Sequence, residues 1–111
     1  MRVLLDHSTP APLRRYLTGH DVTKAAERGW QRLENGDLLA AAETAGFEVL
    51  VTSDKNLGYQ QNLIRRTISI VVLGLGQWPA LRPHVLLVLD AVNAATPGSY
   101  SEVPIPYPDE R

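Results

Sequence analysis

Residues 47–54 read Phe-Glu-Val-Leu-Val-Thr-Ser-Asp, a short and nearly continuous apolar run that ends in a carboxylate. Val49, Leu50 and Val51 show no polar alternation, so the spacing predicts a strand from Phe47 to Thr52 buried on both faces. Strands of that kind belong mostly to parallel sheets covered by helices. The same arrangement opens the chain, where Val3-Leu4-Leu5 runs directly into Asp6. If both runs are parallel strands of one sheet, Asp6 and Asp54 emerge together at its carboxyl edge, where open α/β sheets keep their ligand sites.

Working outward from this pair, residues 2–6 form the first strand and Ser8-Thr9-Pro10 supplies a cap with a proline at the start of a helix. That helix is expected from Pro10 to Thr18, with Leu13, Tyr16 and Leu17 on its apolar face and Gly19 ending it. Residues 20–25 are a weaker second strand, and the stretch from Glu27 to Glu34 is a loop or short helix around Trp30. Asn35 is placed as an N-cap, Asp37 lies in the first turn, and Leu38, Leu39, Ala42 and Ala45 keep helical spacing up to Gly46. A further helix is expected from Asn56 to Arg66, then a fourth strand from Ile68 to Leu73. Gly74-Leu75-Gly76 reads as a turn, because it lacks the third glycine of a nucleotide-binding loop. A last helix begins at Pro83, with Val85, Val88, Leu89 and Val92 as its buried stripe, and stops at Pro97-Gly98. Alternating strands and helices predict an α/β fold.

Residues 1–98 are expected to form one domain and residues 99–111 a Pro-rich extended tail. Pro104, Pro106 and Pro108 remove amide donors from one side of the chain, so the tail is expected to be irregular, or an edge strand at most. The 111 residues suffice for a single core. With 44% hydrophobic and 21% charged residues, the composition is that of a globular protein, neither disordered nor membrane-spanning. A net charge of -1 argues against wholesale electrostatic binding of nucleic acid and leaves room only for a local basic patch. The absence of cysteine excludes disulfides, thiolate zinc sites and cysteine nucleophiles. With no signal-like or membrane-spanning stretch, the expected location is the cytoplasm.

The candidate chemistry centres on Asp6 and Asp54. Carboxylates are natural ligands of Mg²⁺ and Mn²⁺, which keep several waters for phosphate oxygens to displace. Asp37 is the candidate third acid if its helix begins toward the same edge, since clustered carboxylates demand a cation or raised pKa values. The plainer reading of each aspartate is a cap or first-turn residue. Beside Asp54, the stretch Lys55-Asn56-Leu57-Gly58-Tyr59-Gln60-Gln61-Asn62-Leu63-Ile64-Arg65-Arg66 gathers amides, a ring and cations. Lys55 and Arg65 suit phosphates, while Asn56, Tyr59, Gln60 and Asn62 suit exposed bases of a single strand. The competing account is a solvated helix face with cations at its end. His7, His20 and His84 lack metal-ligand spacing, and Trp30 and Trp78 are expected to be packing residues.

These residues together resemble the PIN-like domain of small uncharacterised bacterial proteins, related to toxin nucleases of VapC type. The resemblance spans nearly the whole chain and rests on Met1-Arg-Val-Leu-Leu-Asp6 with Pro10, Gly19-His20-Asp21-Val22, Gly29-Trp30, Asn35-Gly36-Asp37-Leu38-Leu39 and Val49-Leu50-Val51-Thr52-Ser53-Asp54-Lys55. It implies a three-layer α/β fold with a central, mainly parallel sheet of four to five strands. It also implies Mg²⁺- or Mn²⁺-dependent hydrolysis of RNA, with Asp6, Asp37 and Asp54 as metal-binding and catalytic acids. A cognate antitoxin as protein partner, and a homodimer, fit the same resemblance. Asn35, Asn56 and His7 stand where many members carry acids, which supports an alternative: a catalytically inactive PIN-like binding module. A receiver-like phosphoacceptor with Asp54 at the end of its third strand is the third reading.

Overall fold

The computed structural model describes residues 1–33, 35–55 and 66–107. Five strands form one sheet: β1 (Arg2–Leu5), β2 (Asp21–Lys24), β3 (Val49–Thr52), β4 (Ser69–Leu73) and β5 (Tyr100–Val103). Every pairing is parallel and the order is β2-β1-β3-β4-β5. The expected α/β class and parallel sheet are therefore observed, with five strands. All residues of β3 and β4 are buried, as their unbroken apolar sequences require.

Side chains alternate between two cores, as the pleat dictates. Val3, Leu5, Val49, Val51, Val71 and Leu73 face one way and pack against Leu13, Leu17, Leu81, Val88 and Val92. Leu4, Leu50, Ile70 and Val72 face the other way and pack against Leu38, Leu39, Ala42 and Phe47. The first core is roofed by α2 (Trp78–Leu81) and α3 (Val85–Ala94), the second by α1 (Asn35–Thr44). Helical layers thus cover both faces. β1 connects to β2 on one side and the chain then crosses β1 to reach β3, so the order reverses between β1 and β3, the place where such sheets open a crevice.

Several expectations about local structure are corrected. The first helix is a 3-10 helix, Ala11–Tyr16, with no side-chain cap. Pro10 and Pro12 suit its start, but Ser8 and Thr9 are drawn back toward Asp6. Tyr16 is 39% exposed and lies against Trp78, with the rings tilted and 5.6 Å between centroids. The stretch around Trp30 holds a 3-10 turn, Ala25–Arg28, closed by the left-handed Gly29. The last helical run begins at Trp78, earlier than Pro83, and passes through a 3-10 turn at Arg82–His84 before α3. Leu89 is only partly buried.

The tail takes the edge-strand form of the expectation. Tyr100–Val103 is a full edge strand paired to β4, and Val103 and Ile105 are buried in the first core. The donors lost at the prolines matter little, because Pro104 follows the last paired residue. The sheet therefore extends past residue 98. The helix expected from Asn56 to Arg66 lies outside the described residues for all but its last residue. Among the described residues no helix is long and apolar enough to cross a membrane.

Candidate functional site at the carboxyl edge

β1 and β3 deliver Asp6 and Asp54 to the same edge, as their registers dictate: Leu5 pairs with Val51, so Asp6 is level with Thr52. Asp6 is only 8% exposed and is bound by three donors. Its Oδ1 accepts the Ser8 amide at 3.0 Å and the Ser8 hydroxyl at 2.6 Å, and its Oδ2 accepts the Thr52 hydroxyl. The amide bond to Ser8 is an Asx-turn, the capping role open to any aspartate after a strand. The Thr52 bond is different, since it joins β1 to β3 across 46 positions of sequence.

Hydroxyls continue this network. Ser8 Oγ lies 3.3 Å from Thr52 Oγ1 and accepts the Ser53 amide at 2.9 Å, while Ser53 Oγ donates to the Ser8 carbonyl at 3.1 Å. The Asp54 amide donates to Thr52 Oγ1 at 3.0 Å. A single hydroxyl therefore separates the Asp6 carboxylate from the Asp54 backbone. Gly76 closes the crevice from the β4 side: a Cβ there would stand 2.7 Å from Ser53 Oγ and 2.8 Å from the Ser8 carbonyl. The turn expected at Gly74-Leu75-Gly76 thus has a packing role that its sequence did not announce.

Asp54 and Lys55 are exposed. Asp37 is exposed in the first turn of α1, where the helix dipole favours a carboxylate. Because α1 follows the parallel strand β2, its amino end belongs to the same end of the sheet. Yet among the described residues no group of three or more His, Cys, Asp or Glu side chains is placed to hold a metal ion. The edge thus carries Asp6 and Asp54 at the ends of adjacent strands, and Asp37 stands exposed in the first turn of α1, where its dipole interaction favours it. Asn56, Tyr59, Gln60, Asn62 and Arg65 lie outside the described residues.

Comparison with protein-family models, curated proteins and solved structures returned no match.

The other expected roles resolve into structure. His7 is exposed, and His20 shares a 2.6 Å hydrogen bond with Asn93 Oδ1. Trp30 packs edge-on to Phe47 at 6.1 Å, with the Arg28 guanidinium 4.9 Å from the Trp30 ring centre. Sequence reasoning missed Ser8, Thr52 and Ser53. The available signal was Thr52, a hydroxyl at the end of a strand whose other residues are all apolar, since a buried hydroxyl needs a partner.

A cavity of about 460 Å³ opens on the same edge, beside the ends of β4 and β5. Its walls include Lys55, Val72, Glu102, Ile105 and Tyr107. Glu102 and Tyr107 belong to the tail, which the sequence offered as an irregular end or an edge strand at most.

Proposed function

We propose that this edge is the site of a PIN-like phosphodiesterase acting on single-stranded RNA, in which Asp6 and Asp54 are the acids that hold Mg²⁺ or Mn²⁺. The observation that carries the reading is the placement of Asp6 and Asp54 at the ends of adjacent parallel strands, linked through Thr52 at the point where the strand order reverses. An ionised carboxylate has about four acceptor positions. Three bonds to Asp6 therefore leave it one, and Asp54 adds a solvent-facing second carboxylate. Mg²⁺ is commonly held by one or two carboxylates and keeps several waters, so this donor pair fits a water-rich cation. Bound there, such a cation lowers the pKa of an attacking water and shields phosphate charge.

The chain's own residues then have separate tasks. Asp6 is oriented by Ser8 and Thr52, Asp54 meets solvent, and Lys55 offers a cation to phosphate. A cognate antitoxin would be the protein partner of a toxin of this kind. Purified protein should cleave single-stranded RNA with Mn²⁺, and Asp54→Asn should lower the rate by at least about a hundredfold with the melting temperature unchanged. Undiminished cleavage by that variant sinks the reading. Asp6→Asn is the poorer test, because it also disturbs the hydrogen bonds that join β1 to β3.

A catalytically inactive PIN-like binding module is the second reading, favoured by the three internal bonds to Asp6 and the lack of a three-acid group among the described residues. Calorimetry separates the two. Heat of Mn²⁺ binding that disappears in Asp54→Asn supports the enzyme, and no heat at millimolar metal with the chain folded supports the module. The receiver reading shares this sheet order, but Pro104-Ile105-Pro106 follows β5 in place of the lysine such a domain needs.

A further inference from the structure

The cavity beside β4 and β5 has the size of a small-ligand site, about 300 to 1,000 Å³, and its walls divide by chemistry. Val72 and Ile105 line it and both are buried, Val72 level with Glu102 on the α1 side of the sheet and Ile105 in the core of the other side. Tyr107 is 82% exposed at its rim, an aromatic face with little protein against it. Lys55 borders it from the β3 end, next to Asp54. Glu102 borders it from β5 and is held by the Tyr100 hydroxyl, which donates to Oε1 at 3.1 Å. Tyr100 and Glu102 are two apart on one strand and so share a face. That bond orients the carboxylate on an exposed face.

An apolar slot with an aromatic rim suits a flat heterocycle, and a lysine beside it suits an attached phosphate. The polar group that reads the edge of that heterocycle is a carboxylate, which when ionised accepts hydrogen bonds and donates none. Among the four RNA bases, only guanine presents two adjacent donors, N1–H and the N2 amino group, to its two oxygens. Adenine and cytosine pair one amino group with a ring nitrogen acceptor that would face carboxylate oxygen. Uracil sets its single N–H between two carbonyls. We infer that this cavity is a guanine-selective base pocket in which Glu102 reads the base edge, Tyr107 covers the ring and Lys55 meets phosphate. The choice of a nucleotide as ligand rests on the RNA reading of the neighbouring edge.

The test is binding of GMP, AMP, CMP and UMP to the full chain without divalent metal, followed by calorimetry or amide chemical shifts, so that cleavage plays no part in the readout. GMP should bind about five- to a hundredfold more tightly than the others, the range of one bidentate base contact. Glu102→Gln keeps the shape and the acceptor for Tyr100 but replaces one acceptor by a donor, which matches N1 and N6 of adenine and equally N3 and N4 of cytosine. It should transfer the preference from GMP to AMP and CMP, a result that loss of structure cannot imitate. Equal binding of all four nucleotides, no binding at millimolar concentration, or a preference unchanged in Glu102→Gln overturns the pocket. An RNA with one guanine in a uridine background, if bound more tightly than GMP, assigns the base to a strand, and equal affinity assigns it to a free nucleotide. GMP binding without RNA cleavage defeats the nuclease reading alone, whereas cleavage without guanine preference defeats the pocket alone.

Discussion

Asp6 and Asp54 follow the same kind of apolar strand, yet the two strand ends are built differently. At the end of β1 the carboxylate is buried and encircled by donors from Ser8 and Thr52. At the end of β3 Asp54 and Lys55 are exposed residues, and a cavity opens toward β5. The difference follows from register. Asp6 is level with Thr52 inside the sheet, whereas Asp54 is two residues beyond it. One position therefore contributes chiefly to holding the edge in shape, and the other contributes what the edge presents.

The sharpest way to break this contrast is to remove each carboxylate. Asp6→Ala strands the Thr52 and Ser8 hydroxyls and the Ser8 amide in a nearly buried site. Hydrogen bonds to charged groups are each worth about 1.5–3 kcal/mol, and unsatisfied buried partners add to the loss, so about 3 kcal/mol of stability should disappear in urea denaturation. Asp54→Ala should cost less than about 1 kcal/mol, as exposed substitutions do. Equal losses for the two would mean that the ends are not distinct. Gly76→Ala attacks the closed end from its other wall. The new methyl meets the Ser53 hydroxyl and the Ser8 carbonyl, and overpacking of this kind costs about 1–3 kcal/mol. About 2 kcal/mol is the expected loss, and a neutral result would show that Ser8 has room to shift.

Much of this edge was legible in the sequence because its strands are buried on both faces. Val49-Leu50-Val51 and Ile70-Val71-Val72 permit little besides central parallel strands, and the position of the two aspartates followed directly. The hydroxyl network was not legible, because Ser8 and Thr52 meet only after β1 and β3 pair, and local pattern pointed Ser8 to helix capping instead. Asp37 was legible only as far as its element: its place in the first turn of α1 was readable, whereas its distance from the strand ends is set by packing. The tail was legible only as irregular or an edge strand, because prolines dominate its appearance, whereas Tyr100–Val103 ends just before the first of them and pairs with β4.

Glu43 shows what an enclosed carboxylate does away from the site. It accepts from Arg66 at 2.6 Å and from the Thr67 amide at 2.8 Å, with further donors in the Thr67 hydroxyl and the Ile68 amide. Burial raises its pKa, but the Arg66 guanidinium and these donors together hold it below the ordinary carboxylate value. A depressed folded-state pKa adds stability above the unfolded-state value and loses it as pH falls through the folded one. Glu43→Gln should therefore cost about 1 kcal/mol near neutrality, a usual size for a partly buried pair, and the gap should close below about pH 4. A gap constant with pH would mean that shape rather than charge holds this corner.

The smallest stability effect belongs to the open end. Tyr107 is 82% exposed, so little of its ring is taken from water by folding, and Tyr107→Ala should change stability by less than about 0.5 kcal/mol. If it forms the cover of a base pocket, the same substitution should weaken GMP binding about tenfold or more, since stacking on an aromatic side chain is worth about 1–3 kcal/mol per base. The loss should be similar for every base that still binds, because each has a stacking face and Tyr107 reads none of their edges. A variant that loses stability places the ring in the fold rather than the pocket. One that binds GMP unchanged removes Tyr107 from the site and leaves Glu102 and Lys55 to account for binding.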